Sequence, residues 1–233
     1  MCSVLTYSNL QHSSIPMLSA ASCPHRHYGY LTTHVTCVCL PPQVYDAAIC
    51  LAKYLESTVP KRHNYSHSSL AGTRLLELGA GPGIVGLFAS YYGAHSTLTD
   101  LESLMPLIEY NCEQNKAELS GPICARVLHW GLSTAQLQPP PDYLILANCV
   151  YYQSSLEPLR DSLLELSTPD TCILACYEIR CPEIGKLIDA WHELIAASFD
   201  VEYVDDDVVL EIAGSAYAQE FVRLAKLKRK PAS

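Results

Sequence analysis

At 233 residues, with 49% hydrophobic and 17% charged side chains, the chain is long enough for one α/β domain with a sizeable core and a terminal extension. Its formal net charge of −9 argues against a basic face able to offset phosphates, so no nucleic-acid partner is expected, whereas a basic substrate is compatible. It has no apolar run of about eighteen residues and no charged N-terminal segment leading into an apolar one, so a soluble, cytoplasmic chain with no membrane partner is expected.

Residues 1–40 are rich in Ser, His, Thr and Cys without sustained periodicity, and the β-branched and aromatic residues between Tyr28 and Leu40 suit one or two edge strands. Cys23-x-His25-x-His27 has metal-like spacing but lacks a fourth ligand at a useful distance, so no metal is assigned. The eleven cysteines are an odd count, and Cys149, Cys172 and Cys176 fall in apolar stretches, where a reduced cysteine is a small core residue. After Pro41-Pro42, Val44, Ala47, Ala48, Leu51 and Leu55 recur on one helical face. A folded domain is therefore set at 41–230, with 231–233 as a tail and Lys61 to Gly72 as the linker into the first core strand.

Next comes the strand Arg74 to Leu78, then Gly79, Gly81, Gly83 and Gly86 before an apolar helix. Glycines in that place let the backbone turn tightly and approach a ligand closely, at a helix start whose N–H groups are free. Gly81-x-Gly83-x-x-Gly86 also satisfies the dinucleotide fingerprint, so the glycines alone leave a nicotinamide cofactor open. With the acid in front, Glu77-x-Gly79-x-Gly81-x-Gly83 resembles the first motif of seven-strand S-adenosylmethionine methyltransferases. That resemblance implies an S-adenosylmethionine site built on Glu77, Gly79, Ala80, Gly81 and Gly83.

Strand and helix signals then alternate, the pattern of a mostly parallel sheet with helices on both faces. Strands are expected at 74–78, 96–99, 123–129, 142–147 and 171–177, and helices at 84–92, 103–118, 155–167 and 183–198. The fourth and fifth strands are continuously apolar, as strands covered on both faces should be. Asp200 to Leu227 reads as two strands around a turn near Ala213-Gly214-Ser215, an antiparallel close to the sheet.

Ligands in open α/β sheets bind outside the carboxyl ends of the strands, where strand order reverses. The second strand ends in Asp100 and Leu101, about twenty residues beyond the loop, where a carboxylate can accept bonds from ribose hydroxyls; the competing reading is a cap for the helix starting near Ser103. Trp130, after the third strand, can lie against an adenine ring or be a core residue. Asn148 and Tyr151, after the fourth, are placed at the reactive end of the cofactor.

In order and spacing, Leu76-Glu77-Leu78-Gly79-Ala80-Gly81, Leu98-Thr99-Asp100-Leu101-Glu102, Leu128-His129-Trp130-Gly131, Asn148-Cys149-Val150-Tyr151-Tyr152 and Cys176-Tyr177-Glu178-x-Arg180 resemble the family 16 methyltransferase-like proteins. The likeness runs from Val44 to the C-terminus. It implies a single Rossmann-like seven-strand methyltransferase domain that methylates lysines of a protein substrate, and the branch it most resembles implies a hexameric ATPase chaperone of the valosin-containing type as partner; a monomer is expected. By the same resemblance the glycine loop holds the methionine part of the cofactor, Asp100 its ribose, Trp130 borders the adenine, and Ala147 lines the pocket. Tyr45 stands where the family usually carries a cofactor-touching tryptophan.

One departure bears on activity. The family's acid after the fourth strand is here Asn148, whose amide oxygen can accept an N–H bond but lacks the charge that attracts an ammonium. A cofactor-binding but inactive interaction module is therefore a second expectation. A nicotinamide oxidoreductase is disfavoured, since no Tyr-x-x-x-Lys pair follows the fourth strand. The acidic residues Glu202, Asp205, Asp206, Asp207 and Glu211 either steer a basic substrate segment or form a solvated turn.

Overall fold

A computed structural model describes residues 4–6, 32–34, 44–58, 70–213 and 222–231. Its centre is a seven-stranded sheet built from β3 (Arg74–Leu78), β4 (His95–Asp100), β5 (Ile123–Val127), β6 (Tyr143–Ala147), β7 (Cys172–Glu178), β8 (Phe199–Tyr203) and β9 (Val222–Arg229), in the order β5-β4-β3-β6-β7-β9-β8. The ladders from β5 across to β7 are parallel, and β9 alone runs against its two neighbours. A short antiparallel pair, β1 (Val4–Thr6) with β2 (Thr32–His34), forms a separate two-stranded sheet, so the strand foreseen between Tyr28 and Leu40 is not an edge of the main one.

Helices α1 (Asp46–Thr58), α2 (Ile84–Tyr91), α3 (Met105–Asn115), α4 (Leu156–Leu166), α5 (Pro182–Ile195) and α6 (Asp206–Ala213) cover the sheet. Alternate residues of each strand feed opposite cores. Leu76, Leu78, Leu144, Leu146, Ile173 and Ala175 pack with Leu159, Leu163, Ile188 and Trp191 of α4 and α5. Leu75, Ile145, Leu174 and Cys176 pack with Leu51 and Leu55 of α1, Val85 and Ala89 of α2, and Val209 of α6. A third cluster joins Leu98 of β4 to Met105 and Ile108 of α3. Burial of β3 and β6 is nearly continuous, as their apolar sequences require.

Two differences from the sequence expectation stand out. α3 is shorter than 103–118, because Pro106 lacks the N–H to extend a helix backward and both ends finish in 3-10 turns, Glu102–Leu104 and Lys116–Glu118. Between β8 and β9 lies α6, where two strands around one turn were expected. The carboxylate of Asp205 accepts the Asp207 N–H at 2.8 Å and its carbonyl accepts the Val209 N–H at 3.0 Å, an N-cap with Asp206 and Asp207 in the first turn. The turn placed near Ala213-Gly214-Ser215 lies largely outside the described residues, as do positions 61–69 of the linker and the cluster Cys23-x-His25-x-His27.

Cys149 and Cys176 are buried free thiols, as read from their surroundings, but Cys172 is exposed. It is the first residue of β7, where the strand has not yet entered the core. Among the described residues, no helix is long and apolar enough to cross a membrane.

Candidate active site

Strand order reverses between β3 and β6, so the loops leaving their carboxyl ends part and open a crevice there. The loop after β3 is fixed from below. Glu77, 1% exposed, sends Oε2 to accept the Gly86 N–H at 2.8 Å, tying the first turn of α2 to the strand it came from. Burial, assisted by the charge of Asp100, raises its carboxyl pKa to about 8 against the pull of the Gly86 bond. Gly86 is required by close packing: a Cβ there would stand 1.9 Å from Leu98 Cδ2 and 3.1 Å from Glu77 Oε2. Gly81 is different, with a φ of +54° and nothing within 4 Å of where a Cβ would point. Its left-handed backbone faces open space, the geometry by which a loop cradles a ligand.

Asp100, at the end of β4, leans on that loop. Its Oδ2 accepts the Gly81 N–H at 2.8 Å and its Oδ1 the Leu101 N–H at 2.8 Å. Burial raises its pKa. Among the described residues no side chain caps the 3-10 turn Glu102–Leu104 or α3, whose preceding residues are Leu101 and Leu104, so Asp100 is not the helix cap that competed for it. Leu101 is 48% exposed beside it. Trp130 is half-buried at the edge of the core; its indole Cζ2 would lie 3.0 Å from a Cβ on Gly79, so one edge of the ring packs on the loop. Thus Gly79, Ala80, Gly81, Gly83, Asp100, Leu101 and Trp130 come together, while Glu77 lies beneath them as the anchor of the loop.

On the other side, Asn148 follows half-buried Ala147 at the end of β6. It is 6% exposed and holds a φ of 57°, a conformation asparagine tolerates better than most residues. Its N–H donates to the Cys176 carbonyl at 2.8 Å, and its Oδ1 accepts the Glu178 N–H at 3.4 Å. Tyr151 is 42% exposed and meets Tyr152 edge-on at 4.8 Å. Partial burial, with smaller contributions from Cys149, Asp100, Tyr152 and Tyr45, pushes its phenol up to about 12 and keeps it neutral. Tyr45 ends the approach to α1, and the Arg180 guanidinium lies 5.0 Å over its ring.

Sequence reasoning assigned no role to Glu178 and Arg180, which close this side beside Tyr45 and Asn148. Charged residues at and just beyond the end of an apolar strand were the available signal. His129 Nε2 pairs with Glu102 Oε2 at 2.8 Å, bridging the ends of β5 and β4 on the exposed rim.

An adenosyl sulfonium compound fits these residues better than a dinucleotide. A pyrophosphate needs free N–H groups at the glycine loop, and here the Gly81 N–H is already bonded to a carboxylate that would repel phosphate. A ligand with ribose hydroxyls and a positive charge meets acceptors and negative charge at the same place.

The sequence profile of a family described as lysine methyltransferase matches residues 37–192. Protein-lysine methyltransferase METTL21E of Bos taurus is 31% identical over 179 residues, 75% of this chain and 58% of that protein. EEF1A lysine methyltransferase 3 of Xenopus tropicalis is 33% identical over 138 residues, 59% of this chain and 57% of that one. The chain thus spans less than two thirds of the length of these curated relatives. Among solved structures, the magnesium protoporphyrin IX methyltransferase of Synechocystis PCC 6803, with bound SAH, is similar at a TM-score of 0.51 and 13% identity, covering 81% of this chain and 89% of that one. That likeness establishes the Rossmann-like fold.

Proposed function

The chain belongs to the lysine methyltransferase family, and on that premise we propose that it transfers a methyl group from S-adenosylmethionine to the ε-amine of a lysine in a protein substrate. The observation that carries the cofactor half of this reading is Asp100, whose carboxylate lies against the Gly81 N–H at 2.8 Å beside the open face of the loop.

When bound, S-adenosylmethionine supplies an electrophilic methyl group on a sulfonium. Asp100 has lone pairs left with which it would accept ribose hydroxyls, the face of Trp130 would border the adenine, and the backbone of Gly79 to Gly83 would receive the methionine part. Tyr45, Leu101 and Ala147 line the same pocket. Attack on the methyl group requires a neutral amine held in line with it, so the acceptor side must position and desolvate nitrogen. Asn148 and the ring of Tyr151 serve that end.

The proposed partner is a protein presenting a lysine, with a hexameric ATPase chaperone of the valosin-containing type tested first and the EEF1A named by one relative second. We place the reaction in the cytoplasm and assign it to a monomer. The exposed Asp206 and Asp207 at the start of α6 are proposed to speed the approach of a basic segment; neutralising both should lower the association rate and flatten its salt dependence. Calorimetry with S-adenosylhomocysteine and with NADH tests the cofactor, and binding of NADH alone would overturn it. Transfer of labelled methyl groups to lysines in a cell lysate tests the reaction. A second reading, a cofactor-binding module without activity, is favoured by Asn148 in the acid's place; binding of S-adenosylhomocysteine with no transfer to any protein would establish it.

A further inference from the structure

We propose that Glu178 supplies the carboxylate that position 148 lacks: it receives the lysine ammonium of the substrate and takes a proton from it before transfer. This rests on the lysine methyltransferase reading and assigns the acceptor side of that site.

Glu178 is the last residue of β7, which pairs in parallel with β6 so that Ala147 faces Cys176. The register brings Asn148 and Glu178 together just beyond the paired residues, at the mouth of the crevice. There the amide oxygen of Asn148 is committed to the Glu178 backbone N–H. That bond draws one lone pair of the amide oxygen toward the neighbouring strand, and a carboxylate stands at the end of that strand.

That carboxylate is half satisfied. It accepts the backbone N–H of Asp46 at the start of α1, yet Oε2 is buried with no hydrogen-bond partner among the described residues. Leaving a buried acceptor unpaired is costly, and such atoms in native folds call for a missing donor. Arg180 does not provide it: its Nε stays 3.9 Å from Oε1, beyond direct bonding, and its guanidinium lies over the Tyr45 ring. Asp46 adds a second carboxylate at close range, so the pocket favours an incoming cation. Burial raises the pKa of both acids, which suits a carboxylate that must accept a proton.

The step balances as follows. The ammonium N–H bond breaks and its proton passes to Glu178 Oε2, leaving a neutral amine. The nitrogen lone pair forms the new N–C bond as the methyl C–S bond breaks and its electron pair stays on sulfur. The product is a methylammonium and a neutral thioether, and Glu178 returns its proton to water.

The test is calorimetry with two ligands on the native chain, Glu178→Gln, Glu178→Asp and Asn148→Asp. One ligand is S-adenosylhomocysteine; the other is an S-adenosylmethionine analogue with nitrogen for sulfur and a 2-aminoethyl arm for methyl, whose ammonium stands where the substrate amine arrives. Glu178→Gln, which keeps an acceptor for Asp46, should weaken the analogue by roughly tenfold or more while leaving S-adenosylhomocysteine within about twofold. Glu178→Asp should restore part of the loss, and Asn148→Asp added to Glu178→Gln should restore more. Parallel shifts for both ligands, or no shift for either, would overturn the assignment and leave Glu178 as the α1 anchor. Failure of the native chain to bind S-adenosylhomocysteine would instead remove the methyltransferase reading and this inference with it.

Discussion

Asp100 and Glu77, on the glycine-loop side of the crevice, accept bonds from the backbone of Gly81, Leu101 and Gly86, whereas Glu178, across the switch point, keeps one buried oxygen without a partner among the described residues. The first side is complete without a ligand. Its loop is locked to β3 by Glu77 and to β4 by Asp100, so little ordering entropy is left to lose on binding. The second side carries two exposed tyrosines, an asparagine in the left-handed region and an acceptor with no partner among the described residues. Under the proposed reading the first side holds the cofactor and the second the acceptor, which separates the residues whose loss harms folding or cofactor affinity from those whose loss harms transfer alone.

The sharpest test of the completed side is its pH dependence. The folded pKa of Glu77, about 8, lies above the ordinary value of 4.5, so between these values the folded chain holds a proton that the unfolded chain has released. Its contribution to stability is therefore full below pH 4.5 and is lost as pH rises toward 8. Glu77→Gln keeps an acceptor for the Gly86 N–H and removes the titration. Urea unfolding of the cofactor-free chain at pH 5 and pH 8 should show the native protein losing on the order of 3 kcal/mol more than the variant over that interval. Burial raises Asp100, Asp46 and Glu178 in the same direction, so the variant keeps a residual slope. Equal slopes would mean that Glu77 is ionised in the fold.

Gly86→Ala attacks the same side by volume. The new methyl group would meet Leu98 Cδ2 at 1.9 Å inside a filled core, an overpacking worth about 2–3 kcal/mol of unfolding free energy. Gly81→Ala meets nothing within 4 Å and carries only the cost of a left-handed φ, so its stability loss should be the smaller of the two. Thermal melts of the pair would show whether Gly86 serves packing and Gly81 the ligand.

Asp100→Ala should weaken S-adenosylhomocysteine by roughly 1.5–3 kcal/mol, the loss of a charged acceptor from hydroxyl groups together with release of the Gly81 N–H. Calorimetry at fixed pH measures it, and an unchanged affinity would remove the ribose assignment.

The alternation from Arg74 to Ile195 was legible because each strand and helix announces itself locally, by apolar runs of strand length and by helical spacing. The glycine loop and Asp100 were legible for the same reason, since one short stretch and one strand end contain them. α6 was not: Val208, Val209 and Leu210 are β-prone in isolation, and the capping role of Asp205 emerges only with the first helical turn. Glu178 carried only a local hint, a charge ending an apolar strand, because its place in a site depends on β7 lying beside β6 and on α1 returning over both. Trp130, left open between adenine and core, packs against both the core and the loop.

The smallest expected effect falls on the unsatisfied side and concerns Asn148. An aspartate there would keep an acceptor oxygen for the Glu178 N–H, and aspartate shares the tolerance of asparagine for a φ near 57°, so the strand end should hold its shape. Its second oxygen would add negative charge at the crevice, and a charged acceptor gains on the order of 1 kcal/mol over a neutral one in a partly desolvated site. Turnover on a lysine substrate should then rise by roughly fivefold in Asn148→Asp, with S-adenosylhomocysteine affinity nearly unchanged. Asn148→Ala should abolish transfer with cofactor affinity again intact, because the residue serves the acceptor and steadies Glu178. A fall in transfer for Asn148→Asp would point to an amide or a planar amine as acceptor, since added charge favours only a cation. A fall in cofactor affinity for either variant would break the division between the two sides, placing Asn148 with Asp100 and the glycine loop.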